Sequence, residues 1–177
     1  MLDREILVPT PAPDAKHARH SILVGEVQNP LLLKGLALWQ RQRDTRRFPG
    51  RSEMSPRQLS SLLRNTVLVR VLGNAEDFEF RIVGDAIVTV QGASFQSMTT
   101  TQIDAVLPGY GRMLRRSYLA VCESGEPSAY RGWFDRGPDG RAFFHESVVL
   151  PLGTDGQTVD HLLILGVYAY SDKQALR

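Results

Sequence analysis

Three segments near the C-terminal end, residues 131–135, 141–152 and 159–170, are separated by Gly137-Pro138-Asp139-Gly140 and by Thr154-Asp155-Gly156-Gln157. Each is rich in Phe, Val, Leu, Ile or Tyr and each is bounded by Gly or Asp. That is the composition of antiparallel hairpins rather than of helices. A three-stranded meander at the end of one domain excludes an all-helical fold. Nothing within it is a catalytic signature.

A chain of 177 residues with 42% hydrophobic and 23% charged residues is long enough for a single core plus a tail. The apolar clusters at 31–39 and 162–170 are interrupted and far shorter than the roughly 20 residues a spanning helix needs. Ile6-Leu7-Val8 ends at Pro9, too short for the apolar region of a secretory signal, so a cytoplasmic protein is expected. The single Cys122 cannot form an internal disulfide and has no metal-ligating neighbour, so it reads as a small core residue of a helix.

Charge is unevenly spread. Residues 34–70 hold nine basic side chains against Asp44 and Glu53, whereas residues 71–177 hold nine basic against thirteen acidic. The cluster of Arg41, Arg43, Arg46, Arg47 and Arg51 invites phosphate, but charge runs are usually solvated faces. Only Trp39 and Phe48 are near enough to stack on bases, and nucleic acid is not an expected partner.

Pro9, Pro11 and Pro13 and the lack of any period make residues 1–28 a flexible tail, with a short docked piece at 21–27. Asn29-Pro30 then starts a helix over 30–43, an N-cap acceptor followed by a proline whose missing N–H does no harm. Leu32, Leu36 and Trp39 form its apolar stripe. Ser55-Pro56 opens a short helix ending near Asn65. Residues 67–72 and 78–83 read as two strands, and alternation in the second points Phe80 and Ile82 inward. A short helix at 85–90 ends at Gly92, and Thr100 or Thr101 caps another turn at 102–106. Tyr110, Leu114, Tyr118 and Val121 form the stripe of a longer helix closed by Gly125. The expected fold class is α+β with a five-stranded antiparallel sheet.

Trp39, Ser55-Pro56-Arg57-Gln58-Leu59, Phe80-Arg81-Ile82-Val83-Gly84, Gly125-Glu126-Pro127, Leu150-Pro151-Leu152, Asp155-Gly156 and Val159-Asp160, in this order, resemble the PAS-domain superfamily and its group of stand-alone bacterial PAS-like proteins. The resemblance covers about residues 30–170. It implies strand order 2-1-5-4-3, helices over one face, a small cavity between them and an extra N-terminal helix. Residues 29–177 then form one PAS-like domain that includes this helical extension. The resemblance also implies a sensor or regulator in bacterial signal transduction, which binds a small molecule or a protein partner, and frequent homodimerisation through the helix ahead of the first strand. The stripe of Leu32, Leu36 and Trp39 either covers its own sheet or serves as a dimer or partner surface.

Enzyme motifs are absent and no catalytic residue or metal site is expected. His145 and Glu146 are adjacent in a strand, face opposite sides and so cannot form one acid–base pair. His145 is either a hydrogen-bonded core histidine or a cavity residue. His161 opens a strand beside Asp160, where exposure at a turn accounts for it better than a haem ligand. Cys122, between Val121 and Glu123, does not match the polar Asn-Cys-Arg run of flavin photosensors, and the residues name no cofactor. The cavity candidates are Phe80, Ile82, Leu114, Tyr118, Tyr130, Trp133 and His145, with at most one of Tyr130 and Trp133 inside. Two functions follow: a sensor whose ligand favours one arrangement of sheet and N-terminal helix, or a pure interaction and dimerisation module with a filled core and no natural ligand.

Overall fold

The two outer edges of the sheet are where the chain departs most from its expected plan. The computed structural model describes residues 19–135 and 142–170, so the turn at 137–140 lies outside the described residues. In chain order the elements are β1 (His20–Ile22), α1 (Pro30–Arg43), α2 (Pro56–Leu59), β2 (Thr66–Leu72), β3 (Asp77–Val83), α3 (Asp85–Gln91), α4 (Thr100–Val106), α5 (Tyr110–Ser124), β4 (Ser128–Asp135), β5 (Ala142–Leu152) and β6 (His161–Tyr170).

The sheet has six strands in the order β1-β4-β5-β6-β2-β3, where five were expected. The last five, read from β3, reproduce the order 2-1-5-4-3. The additional strand is β1, in the segment assigned to the tail; its Ser21 and Ile22 open the short piece expected to dock at 21–27, where a strand was not expected. It pairs antiparallel with β4, Ser21 opposite Tyr130, and gives that edge a partner that no apolar pattern in residues 19–22 announces. The other edge is covered too: Phe80 N–H donates to Met98 O (2.9 Å), and Ser97 N–H donates to Phe80 O (2.7 Å). β4 is therefore paired on both sides at Ala129–Arg131, and the outer side of β3 is engaged around Phe80.

Helix α1 lies on one face and α3, α4 and α5 on the other. Asn29 caps α1 as its sequence predicts, its side chain accepting from Leu31 N–H at 2.9 Å, with Pro30 at the first turn. Leu32 and Trp39 are 0% and 1% exposed and Leu36 is 8% exposed, all against the chain's own core, so these three have no surface left for a partner. Of the two readings of this stripe, the burial agrees with the one in which it covers its own sheet, and the physical origin is simple. Strands β5 and β6 are apolar on both faces, and α1 is the element that buries the second one. The indole N–H of Trp39 donates to Pro151 O at 2.9 Å, which pins the helix to β5. Gly35 permits the close approach, since a Cβ there would lie 2.0 Å from Leu165 Cδ1.

A β-bulge overturns one inward assignment. Val69 pairs with Phe80 but Leu68 pairs with Ile82, so Arg81 is the extra residue on β3. A bulge flips the alternation beyond it. Phe80 therefore faces α5, and Ile82 faces the α1 side beside Leu68 and Leu163. Thr99, one residue earlier than expected, caps α4, with Gln102 completing the reciprocal pair.

Candidate ligand cavity

A cavity of about 320 Å³ opens between the α3–α5 layer and the sheet. Val67, Phe80, Val149 and Ile164 form its apolar floor, because they sit on the sheet face turned away from α1. Ile87 and Gln91 of α3 and Tyr110, Met113, Leu114 and Tyr118 of α5 form the wall. Aromatic edges set the shape. The Tyr118 ring meets Phe78 edge-on at 5.4 Å and Phe80 at 6.3 Å, and Tyr110 lies 6.3 Å from Phe95.

Four of the seven residues expected to surround a ligand converge here: Phe80, Leu114, Tyr118 and His145. Ile82 does not, for the reason of the bulge. It lines a second cavity of about 300 Å³ on the α1 side, with Leu59, Leu63, Leu68 and Leu163. The polar Thr66 of that cavity already donates to Leu62 O at 2.8 Å. Tyr130 stands behind the first cavity rather than in its lining, because the guanidinium of Arg19 covers its ring at 3.7 Å. Trp133 lies in β4 opposite Phe144, and its side chain is outside the described residues.

His145 is 4% exposed, and its Nδ1–H donates to Gly132 O at 3.1 Å. It thus combines both roles read for it, a hydrogen-bonded core histidine and a cavity residue, with its ring stacked 6.2 Å from Tyr168. Burial, reinforced by the charge of Arg19, pulls its pKa down to about 3. The imidazole is neutral at physiological pH. Burial likewise pushes the Tyr118 and Tyr168 hydroxyls far above their ordinary range, so both remain protonated donors.

Two polar groups of the cavity lay beyond sequence reasoning. Arg19, in the segment assigned to the tail, reaches the cavity because β1 docks beside β4, and its Nη1 donates to Ser117 Oγ at 2.7 Å. Burial lowers its pKa. Gln91 donates from Nε2 to Tyr110 Oη at 3.1 Å, while its Oε1 is buried with no hydrogen-bond partner. Only the third dimension reveals these two. Tyr168, by contrast, follows from alternation with Leu162 and Ile164 along β6.

Other candidates resolve into structure. Arg46 makes a two-pronged pair with Glu53 at 2.7 and 2.8 Å and reaches Gln42 O at 2.6 Å. Arg43 packs over Trp39, and Arg47 donates to Ser124 O. Arg43, Arg46 and Arg47 are thus engaged within the chain, which weakens the phosphate reading for these three. His161 is more covered than a turn residue would be, its side chain 15% exposed and its Nδ1 2.7 Å from Asp160 Oδ1. Cys122 is partly buried, its thiol pushed up to about 11 by burial. Among the described residues no group of three or more His, Cys, Asp or Glu is placed to hold a metal. No helix among them is long and apolar enough to cross a membrane.

An antiparallel sheet in this order, with short helices laid over one face and a cavity beneath them, defines an α+β domain of PAS-like architecture. The family model described as PAS domain matches residues 28–169, and the chain belongs to that family, whose members serve generally in sensing and signal transduction. The PAS domain of BvgS from Bordetella pertussis is similar at 14% identity and TM-score 0.52, over 71% of this chain and 90% of that one. The PAS domain of an HTR-like protein from Haloarcula marismortui is 18% identical at TM-score 0.39, over 67% of this chain and 95% of that one. A LOV protein from Rhodobacter sphaeroides is 11% identical at TM-score 0.44, over 67% and 71%. At 14% identity the likeness to the BvgS domain is one of fold alone. No curated protein matches the chain.

Proposed function

We propose that this PAS domain is a small-molecule sensor whose ligand occupies the cavity between α3, α5 and the sheet, and which passes the signal to a protein partner. One observation carries the reading: the core leaves about 320 Å³ unfilled, apolar on most sides, with a few polar groups converging on it. That is the usual make-up of a ligand site. The alternative, an interaction module with a filled core, has no use for such a space.

Transmission has a short route. His145 faces the cavity, and the next residue, Glu146, holds the backbone ahead of α1, its Oε1 accepting from Gln28 N–H at 3.0 Å and Asn29 N–H at 3.2 Å. A ligand that prefers one position of β5 biases the N-terminal helix, and the shift equals its difference in affinity for the two arrangements. We read the domain as a binder and not an enzyme, since the adjacent histidine and carboxylate serve opposite faces. The lone cysteine, with no internal disulfide partner, supports a cytoplasmic setting.

The test uses neutral probes, toluene and phenol, followed by NMR of the full chain. The expected result is shift changes confined to the surroundings of Phe80, Leu114 and Tyr118, and lost in a Leu114→Trp variant that fills the space. Probes that leave these resonances unmoved, with purified protein weighing no more than its chain, would overturn the reading.

A further inference from the structure

We propose that the cavity is built for a small organic anion, a carboxylate on an apolar body of about one ring, with the carboxylate paired to Arg19. The proposal rests on the cavity being a ligand site and names the chemistry of its occupant.

Charge carries the argument. Among the described residues that line the cavity, Arg19 is the one with a permanent charge and none is Asp or Glu. The ion pairs made by arginines among the described residues engage Arg46, Arg64, Arg70, Arg81, Arg112 and Arg131, and Arg19 is in none of them. A guanidinium has five N–H donors, and among the described residues Arg19 uses one, to Ser117 Oγ. Tyr130 supplies a π face, which offsets part of the desolvation but satisfies no further donor. A cation taken out of water without an acid beside it is expensive. A planar carboxylate repairs this by accepting two parallel N–H bonds.

Size and lining define the rest of the molecule. An apolar cavity of roughly 150 Å³ holds benzene. About 320 Å³ therefore holds a ring with a carboxylate and a further substituent. Phe80, Leu114 and Ile164 offer that ring only apolar contact, which disfavours inorganic phosphate and other anions with no apolar part. The orphaned Oε1 of Gln91 accepts from a hydroxyl or N–H on the same ligand, so a hydroxylated ring is better matched than a bare one.

Calorimetric titration of the full chain with benzoate, 4-hydroxybenzoate and phenylacetate, each beside its neutral amide, tests the assignment, with toluene and inorganic phosphate as controls. Acids binding at least tenfold tighter than their amides, and losing that advantage in Arg19→Gln while the amides are unaffected, is the expected result. Acids and amides binding alike, or phosphate binding as well as the acids, would overturn the anion assignment and leave the cavity reading standing. Failure of acids, amides and toluene together overturns both. Should Arg19→Gln not fold, the acid-to-amide ratio in the unaltered protein decides alone.

Discussion

His145 and Glu146 are consecutive in β5 and serve opposite faces of the sheet: the imidazole lines the cavity, while the carboxylate binds the backbone ahead of α1. The second oxygen of Glu146 accepts from Arg131 at 3.0 Å, and Arg131 in turn donates to Glu26 O at 2.7 Å. One peptide unit thus joins the candidate ligand site to the N-terminal segment. Both residues are 4% exposed, so neither interaction is diluted by water.

Replacing Glu146 by Ala takes the carboxylate from Arg131, which keeps its bond to Glu26 O, and leaves the N–H groups of Gln28 and Asn29 without their acceptor. The expected loss is about 3–5 kcal/mol, the range for breaking a buried pair from one side. Urea unfolding measures it. Glu146→Gln keeps an acceptor and is expected to cost less, and hydrogen exchange should quicken at Gln28 and Asn29 before it does in β6.

Acid should destabilise the protein early. The His145 pKa is depressed in the fold to about 3 from an ordinary 6.5, so the unfolded chain takes up a proton first. The contribution is complete above pH 6.5 and falls by about 1.4 kcal/mol per pH unit as pH drops toward 3. Chemical denaturation at pH 7, 6 and 5 follows it, and His145→Phe should flatten that slope. Asp77 adds a lower window. Burial opposes its ionised form, but hydrogen bonds led by that from Thr100 outweigh burial and hold its pKa at about 2, so its support is lost between pH 4 and 2.

Gly35→Ala places a methyl where Leu165 Cδ1 already sits. Overpacking of this kind costs about 1–3 kcal/mol, against a small gain in helix propensity. A lower thermal midpoint is expected, and the double variant with Leu165→Ala should recover part of the loss.

Trp39→Phe keeps a ring in the core but removes the N–H that Pro151 O accepts. A buried carbonyl without its donor costs about 1–3 kcal/mol. Equilibrium unfolding reads it, and a loss under 0.5 kcal/mol would mean water replaces the indole.

Local chemistry was legible in the sequence wherever near neighbours decide it. The Asn29-Pro30 start of α1, the glycine closures at Gly92 and Gly125 and the meander depend on caps, turns and alternation that act within a few residues, whereas the order of five strands came from the family resemblance and not from any local signal. Phe80, Leu114, Tyr118 and His145 belong with them, since period alone places each on the buried side of its element. Contacts that span the chain were decided only by the tertiary structure. The Arg81 bulge turns Ile82 away because β3 follows the register of β2, and nothing in the alternating run itself signals the extra residue. Arg19 becomes a cavity residue because β1 finds the free edge of β4 more than a hundred residues later, a pairing of backbone groups that carries no side-chain pattern to read.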